Sequence, residues 1–267
     1  MYKRVFNETL IKQYIQQNPE MTLFFYGDLE SCGTHGDNCQ FFINYIDEEI
    51  DGIILMWEQV NFQFYSQKES FNINDVVTFL KDKNIVTLSG KYDLLKRLEP
   101  LFLDLVLRIT YLAKCSKVIC KANKSSTIQV REMNESDANA HALLISSIDE
   151  FKENKSANTT IEDEKKSFVR ALKYGGHYIG VFQNNDLLAM AGTTANSSLS
   201  GMVVGVCTKK DERGKGYASL AVNTLCELSF KKGQQFLCLF YNNPIAGRIY
   251  HSLGFMDVGQ YGMLARK

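Results

Sequence analysis

One stretch limits the fold more than any other: "GMVVGVCTKKDERGKGYASLAVNTLCELSFKKGQQFLCLFY", residues 201–241. An apolar strand ending at "VCT" leads through a short polar loop into a helical pattern with Ala218, Ala221, Val222, Leu225 and Leu228 on one side. "KKG" closes that helix, its lysines suited to a C-terminus and Gly233 to the cap. The next run, "QFLCLFY", is apolar throughout rather than alternating, as in a strand covered on both faces, the way parallel strands are. Upstream, "GHYIGVFQNNDLLAMAGTTANSSLSGMVVGVCT" reads as three strands turned at "QNND" and "NSSLSG", an antiparallel meander. A meander that runs into a parallel strand gives an α+β class, built on a mixed α/β sheet.

The flanks complete the pattern. "TIQVREM" reads as a strand, and "NESDANAHALLISSIDEF" as a helix capped by Asn134 or Ser136, with Ala138, Ala142, Leu143 and Ile145 on one face. A second helix follows at "IEDEKKSFVRALKY". At the far end, "NNPIAGRIYHSLGF" begins a helix with Asn243 as cap and Pro244 at the first position, stops it at Gly254, and precedes a final strand. The polar segment "KANKSSTIQV" is the best boundary, dividing the chain into 1–120 and 126–267. The first part repeats much of the order: strands at "FFINYID", "DGIILMWE" and "NFQFYS", a helix at "NINDVVTFLKDK", a strand at "NIVTLS" and a helix at "GKYDLLKRLEPLF". A divergent internal duplication would explain this, though a common element order can also arise without one. No glycine-rich loop joins "NFQFYS" to its helix, so the first copy lacks whatever that loop does.

Composition decides which partners to exclude. Thirty basic residues balance thirty acidic ones in 267 residues, so no overall field recruits nucleic acid or an anionic membrane. No apolar stretch approaches the roughly 20 residues a bilayer span needs, and "MYKRVFNETLIKQYIQQ" lacks the apolar core of a signal peptide. A cytoplasmic protein is expected. Its seven cysteines are scattered, and Cys207, Cys226 and Cys238 sit in apolar runs as small hydrophobes. "CGTHGDNC" gathers Cys32, His35 and Cys39, but only Asp37 and Asp28 stand near as a fourth ligand, so no metal is expected there.

The loop "KKDERGKG" before the helix at "YASLAV" aims backbone N–H groups at one point, with the positive end of the helix dipole behind them. Gly214 and Gly216 permit positive dihedrals and close approach of an oxygen-rich ligand. Arg213 and Lys215 add charges suited to phosphate. The pattern is neither G-x-x-x-x-G-K-[ST] nor a dinucleotide fingerprint, whose third glycine would stand where Ser219 does. A pyrophosphate fits it.

"RGKGYA" resembles the R/Q-x-x-G-x-G/A signature of the GNAT superfamily of acyl-CoA N-acyltransferases, with Arg213, Gly216 and Ala218 at its positions. "NPIAGRIYHSLGF" is similar to the family's second motif, N-x-x-A-x-x-x-Y-x-x-x-G-F, with Asn243, Ala246, Tyr250, Gly254 and Phe255 in place about 30 residues later. Within that superfamily the chain looks like the two-domain members whose N-terminal half is a degenerate copy. The resemblance implies acetyl-CoA as cosubstrate, its pyrophosphate on Arg213, Gly214, Lys215, Gly216, Tyr217 and Ala218. It implies that Val206 and Thr208 offer backbone groups to the pantetheine arm, much as an added strand would. The backbone N–H near Val206 or Cys207 would polarise the thioester carbonyl, Asn243 and Ala246 would complete the cofactor site, and Tyr250 would be the general acid for the CoA thiolate.

The chain departs from the family at the general base. Some members carry a glutamate on the strand before the signature, but "GMVVGVCT" has no titratable group except Cys207. Glu150, Asp149 and His177 are candidates by position in the element order. A water relay or a substrate amine already partly neutral would also serve. The expected function is acetyl transfer to a primary amine of a small molecule or peptide, by direct attack in a ternary complex. A non-catalytic acyl-CoA-binding or partner-binding module is the alternative. Phe24, Phe25, Tyr26, Trp57 and Tyr65 in the first part are candidate pocket walls, or else core.

Overall fold

A computed structural model gives the structure of the chain and describes residues 1–119, 127–152 and 159–266. Cys120 and the boundary expected over 121–126 lie outside those residues. In chain order the elements are β1 (Lys3–Val5), α1 (Glu8–Ile15), α2 (Leu23–Cys32), β2 (Cys39–Ile46), β3 (Glu49–Trp57), β4 (Asn61–Tyr65), α3 (Ile73–Leu80), β5 (Thr87–Lys91), α4 (Tyr92–Leu98), β6 (Leu105–Cys115), β7 (Gln129–Glu132), α5 (Ala138–Ser147), α6 (Asp149–Lys152), α7 (Ile161–Lys173), β8 (Tyr178–Gln183), β9 (Asp186–Thr194), β10 (Ser200–Thr208), α8 (Tyr217–Lys231), β11 (Phe236–Tyr241), α9 (Pro244–Leu253) and β12 (Met256–Arg266). They form two compact units. One holds Met1–Ala113, Phe240–Asn242 and the described residues from Asp257 on; the other holds Lys114–Leu239 and Asn243–Met256.

In the first unit β2, β3 and β4 form the expected meander, and β4 pairs in parallel with β5 across α3. The two-residue turns at Asp47-Glu48 and Glu58-Gln59 have positive φ throughout, the twist a tight hairpin needs. Neither pair is the Asn-Gly type that advertises such a turn. α3 starts where Asn72 accepts from the Asp75 N–H at 3.2 Å. The core gathers Ile54, Phe62, Phe64, Val76, Leu80, Leu88 and Leu95 between sheet and helices. A side chain of this kind contributes about 1.5–3 kcal/mol when fully buried.

Two features of this unit differ from the sequence expectation. The aromatic stretch at 24–26, given no element in the sequence reading, lies on the helix α2, ended by Gly33 at φ 63°. Leu23, Phe25, Tyr26 and Leu29 are all buried, so α2 shows no apolar stripe and its sequence carries no helical period. The division at 120/126 would also place the last strand with the second part, yet β12 pairs antiparallel with β5 from Tyr261↔Lys91 to Ala265↔Thr87 and lies between β5 and β6. The reason is burial: Leu264 sits in the first unit's core beside Leu88, Leu95 and Leu105.

The second unit repeats the plan. β7, β8, β9 and β10 pair antiparallel in succession, and β10 pairs in parallel with β11 across α8. Asn184 and Asn185, both at positive φ, turn β8 into β9. At the start of α5 Asn134 accepts from the Ser136 N–H, and Arg131 grips Asp137 through two 2.7 Å bonds. The tight turn Glu135–Asp137 sets the phase of α5, so His141, Ala142, Leu144 and Ile145 are buried and Leu143 is exposed, contrary to expectation. α7 opens with a reciprocal cap between Thr160 and Asp163. α8 packs on β8, β9 and β10 through Leu220, Ala221, Val222, Leu225 and Cys226, with Ala218 and Leu228 half-buried at the margins.

Candidate active site

The parallel pairing of β10 with β11 runs from Ser200↔Phe236 to Val203↔Leu239 and stops there, although β10 continues to Thr208. At the same point β10 is irregular on its other side: Val204 pairs with Gly192 of β9, but the next partner of Met190 is Cys207. Gly205 at φ 63° makes this bulge possible, since that conformation is strained for other residues. The exposure follows the geometry. Val204, Gly205 and Val206 are half-buried, whereas the rest of the strand is buried. Among the described residues no strand therefore pairs with β10 on its β11 side from the bulge to Thr208, the residues expected to face the pantetheine arm.

Beyond Thr208 the chain makes a tight turn at Lys210–Glu212 and enters α8 through two glycines at positive φ, Gly214 at 81° and Gly216 at 79°. Gly216 is the N-cap, and no side chain caps the helix; its first internal bond runs from the Leu220 N–H to the Gly216 carbonyl at 3.0 Å. The N–H groups of Tyr217, Ala218 and Ser219 thus have no partner within the helix. A Cβ built on Gly214 or Gly216 would meet nothing within 4 Å. The loop is an open cradle with donors on its floor, and a diphosphate fits it.

The two cations of the loop are already engaged. Arg213 forms a two-pronged pair with Glu150 of α6, at 2.9 and 3.1 Å, and its Nε reaches the Thr208 carbonyl at 3.5 Å. Lys215 reaches Glu212 at 2.8 Å. Both pairs are exposed, and such pairs are worth about 0–1 kcal/mol, so an anion in the cradle displaces the carboxylates at small cost. The sequence shows the cations but not these partners, because Glu150 lies 63 residues from Arg213.

α9 brings Tyr250 to the same strand. Asn243 caps the helix by accepting from the Ile245 N–H at 2.8 Å, Pro244 follows, and Gly254 ends it at φ 107°. Ala246 is half-buried in the first turn. Tyr250 is 9% exposed, its ring edge-on to Phe255 at 6.0 Å. Burial, with a smaller contribution from the neighbouring Cys207 thiol, pushes its phenol up to about 12. It is therefore protonated at neutral pH. Cys207 itself is buried among Phe168, Tyr178 and Met190.

The base candidates fare differently. Arg213 bonds to Glu150 and holds its carboxyl below the usual range, which weakens it as a base. Asp149 adjoins that pair closely enough to act on both members. His177 Nδ1 lies 2.8 Å from Glu132 Oε1, which also takes Lys232 Nζ at 3.2 Å. Lys232 is the C-cap of α8, and at about 1.5 Å per residue that end is about 20 Å from the glycine loop. The structure does not bring His177 to the cradle. Among the described residues no group of three or more His, Cys, Asp or Glu is placed to hold a metal ion, and His35 Nδ1 lies 3.2 Å from Thr34 Oγ1.

The model of the acetyltransferase (GNAT) family matches residues 142–255, a span that includes β10, the cradle, α8 and α9. No curated protein matches the chain. Among solved structures, the chain is similar to a Drosophila protein, with a TM-score of 0.73 at 11% identity, covering 100% of this chain and 98% of that one. It is similar to a tandem GNAT protein from the clavulanic acid biosynthesis pathway, at TM-score 0.61, 8% identity and coverage of 99% and 97%. An acetyltransferase from the GNAT family of Colwellia psychrerythraea aligns over 100% of both chains at TM-score 0.56 and 13% identity. The chain thus carries a domain of the acetyltransferase (GNAT) family at residues 142–255, within a GNAT fold that tandem members share from end to end.

Proposed function

We propose that this protein is an acetyl-CoA-dependent N-acetyltransferase acting on a primary amine of a small molecule or peptide. The observation that carries the reading is the stretch of β10 beyond its β11 pairing, which leads from the Gly205 bulge to the uncapped N-terminus of α8. Acetyl-CoA would supply an activated acyl group. The N–H groups of Tyr217 and Ala218 hold the diphosphate, with Arg213 and Lys215 turning to it from their carboxylate partners. Backbone groups of Val206 and Thr208 bind the arm as a further strand would. The N–H near the bulge, at Val206 or Cys207, would polarise the thioester carbonyl. Tyr250, kept protonated by burial, donates to the departing sulfur. No carboxylate on β10 takes the amine proton, so the amine enters neutral or gives its proton to solvent. Scattered thiols, six of them outside any disulfide among the described residues, suit a reducing compartment such as the cytoplasm.

Calorimetry on the full chain tests the cofactor half of this reading. One CoA should bind per chain, and Gly216→Val should weaken binding by well over tenfold, because the new side chain enters the cradle. Unchanged affinity in a folded Gly216→Val protein excludes the assignment. Thiol release from acetyl-CoA with mixed amines tests the chemical half; CoA binding with no turnover for any amine leaves the acyl-CoA-binding module as the function.

A further inference from the structure

In the first unit, one carboxylate lacks the partners that the other buried aspartates have. Asp28 lies on α2, one turn beyond Phe24, so the two side chains share a face. The Phe24 ring stacks on Phe240 with centroids 6.1 Å apart and tilts against Tyr261 at 6.2 Å, while Phe240 and Tyr261 are 4.8 Å apart. All four residues belong to the first unit. Phe24, Asp28 and Phe240 are half-buried and Tyr261 is buried, its hydroxyl 3.5 Å from Ser89 Oγ.

Other buried aspartates are compensated. Asp51 accepts from Asn44 Nδ2 and from the Asn72 N–H, and Asp137 holds Arg131 by two bonds. Among the described residues no cation and no donor reaches the Asp28 carboxylate; only its backbone carbonyl is used, by Ser31 and the Cys39 thiol. Burial alone, without an opposing interaction, pushes its carboxyl up to about 7. A carboxylate in a partly open apolar site lowers its free energy most by meeting a cation, and the faces of aromatic rings attract the same cation.

We propose that Phe24, Asp28, Phe240 and Tyr261 form a site for an organic ammonium ion, the ammonium group on the Asp28 carboxylate and its apolar body against the three rings. The site is assigned from residues of the first unit alone and stands apart from the acetyl-transfer reading. The titratable groups that face Asp28 are the Tyr261 phenol on β12 and the Cys39 thiol on β2, both pushed up by burial, so both are neutral near pH 7. Asp28 is then the group of the cluster whose charge changes there.

Benzylamine is a suitable probe, with benzyl alcohol as its uncharged counterpart, and binding to the full chain is followed by saturation-transfer NMR and calorimetry without acetyl-CoA. Benzylammonium should bind at least tenfold more tightly than the alcohol at pH 8. Asp28→Asn should remove that preference, and affinity should fall about tenfold from pH 8 to pH 6 as the carboxyl takes up its proton. Phe24→Leu, which keeps the bulk but removes the ring face, should weaken binding severalfold. Melting curves identify any variant that fails to fold, and the pH series on the unsubstituted protein then decides. Equal binding of amine and alcohol, pH-independent affinity, unchanged affinity in Asp28→Asn, or no saturable binding of benzylamine overturns the proposal. Gly216→Val should bind benzylamine normally, so loss of the CoA site and loss of this site are distinguishable.

Discussion

Tyr250 and Asp28 show one physical cause, burial, with opposite consequences. Burial raises the Tyr250 phenol to about 12, which preserves the protonated state its proposed role requires. Tyr250→Phe removes only the hydroxyl, so turnover should drop about 10²-fold or more while CoA affinity and melting temperature stay nearly unchanged. A loss of about 1 kcal/mol in stability with intact turnover would instead make the hydroxyl structural. For Asp28 the shift is a cost. Its folded value near 7 lies above the ordinary 3.8, so between these limits the unfolded chain has released a proton that the folded one retains. Stability attributable to Asp28 is full below about pH 4 and is lost as pH rises to about 7. At about 1.4 kcal/mol per pH unit the ceiling is about 4–5 kcal/mol. Asp28→Asn should therefore melt higher than the unsubstituted protein at pH 8, by a margin that vanishes toward pH 4, as calorimetric scans across that range will show.

At the scale of elements, α8 and α9 meet the same sheet but begin differently. α8 starts at Gly216 with no side-chain cap, and α9 starts at Asn243 with one. The first leaves donors for a ligand, whereas the second uses its signature residue on its own backbone. Asn243→Ala should thus cost about 1 kcal/mol, the usual value of a lost cap, and Asn243→Ser should restore most of it. Chemical denaturation gives both numbers, and CoA titration of the same proteins should show affinities within about twofold of the starting chain. A larger loss of affinity that Ser does not restore would mean that Asn243 acts on the ligand directly. The elements were legible wherever a stripe or cap existed, as in α3, α7 and α9. α2 was not, because a helix buried on most sides has no stripe to read.

For the molecule as a whole, the decisive element is β12. It follows the family domain in sequence but completes the first unit, with Tyr261 and Leu264 buried there. A chain ending after Met256 should expose the edge of β5 and lose those two side chains from the core, each worth about 1.5–3 kcal/mol. Amide exchange should then rise across β4 and β5, while one CoA still binds per chain through the second unit. Uniform protection in the shortened chain would show that β12 is dispensable. For the same reason a fragment of residues 1–120 lacks a strand of its own unit, and should not fold as the complete chain does.

The sequence by itself determined the local matters: the meander and its parallel strand, the caps at Asn134 and Asn243, and the glycines at 205, 214, 216 and 254 whose dihedrals only glycine takes readily. Each of these depends on residues within a few positions of one another, so spacing reports them. The tertiary structure decided what depends on residues far apart. Glu150 closes on Arg213 across 63 positions, and Phe24 meets Phe240 across more than two hundred. Which strand completes the first unit follows from whose apolar face fits that core, and whether Asp28 is paired depends on every element around it. Spacing along a chain carries no record of either.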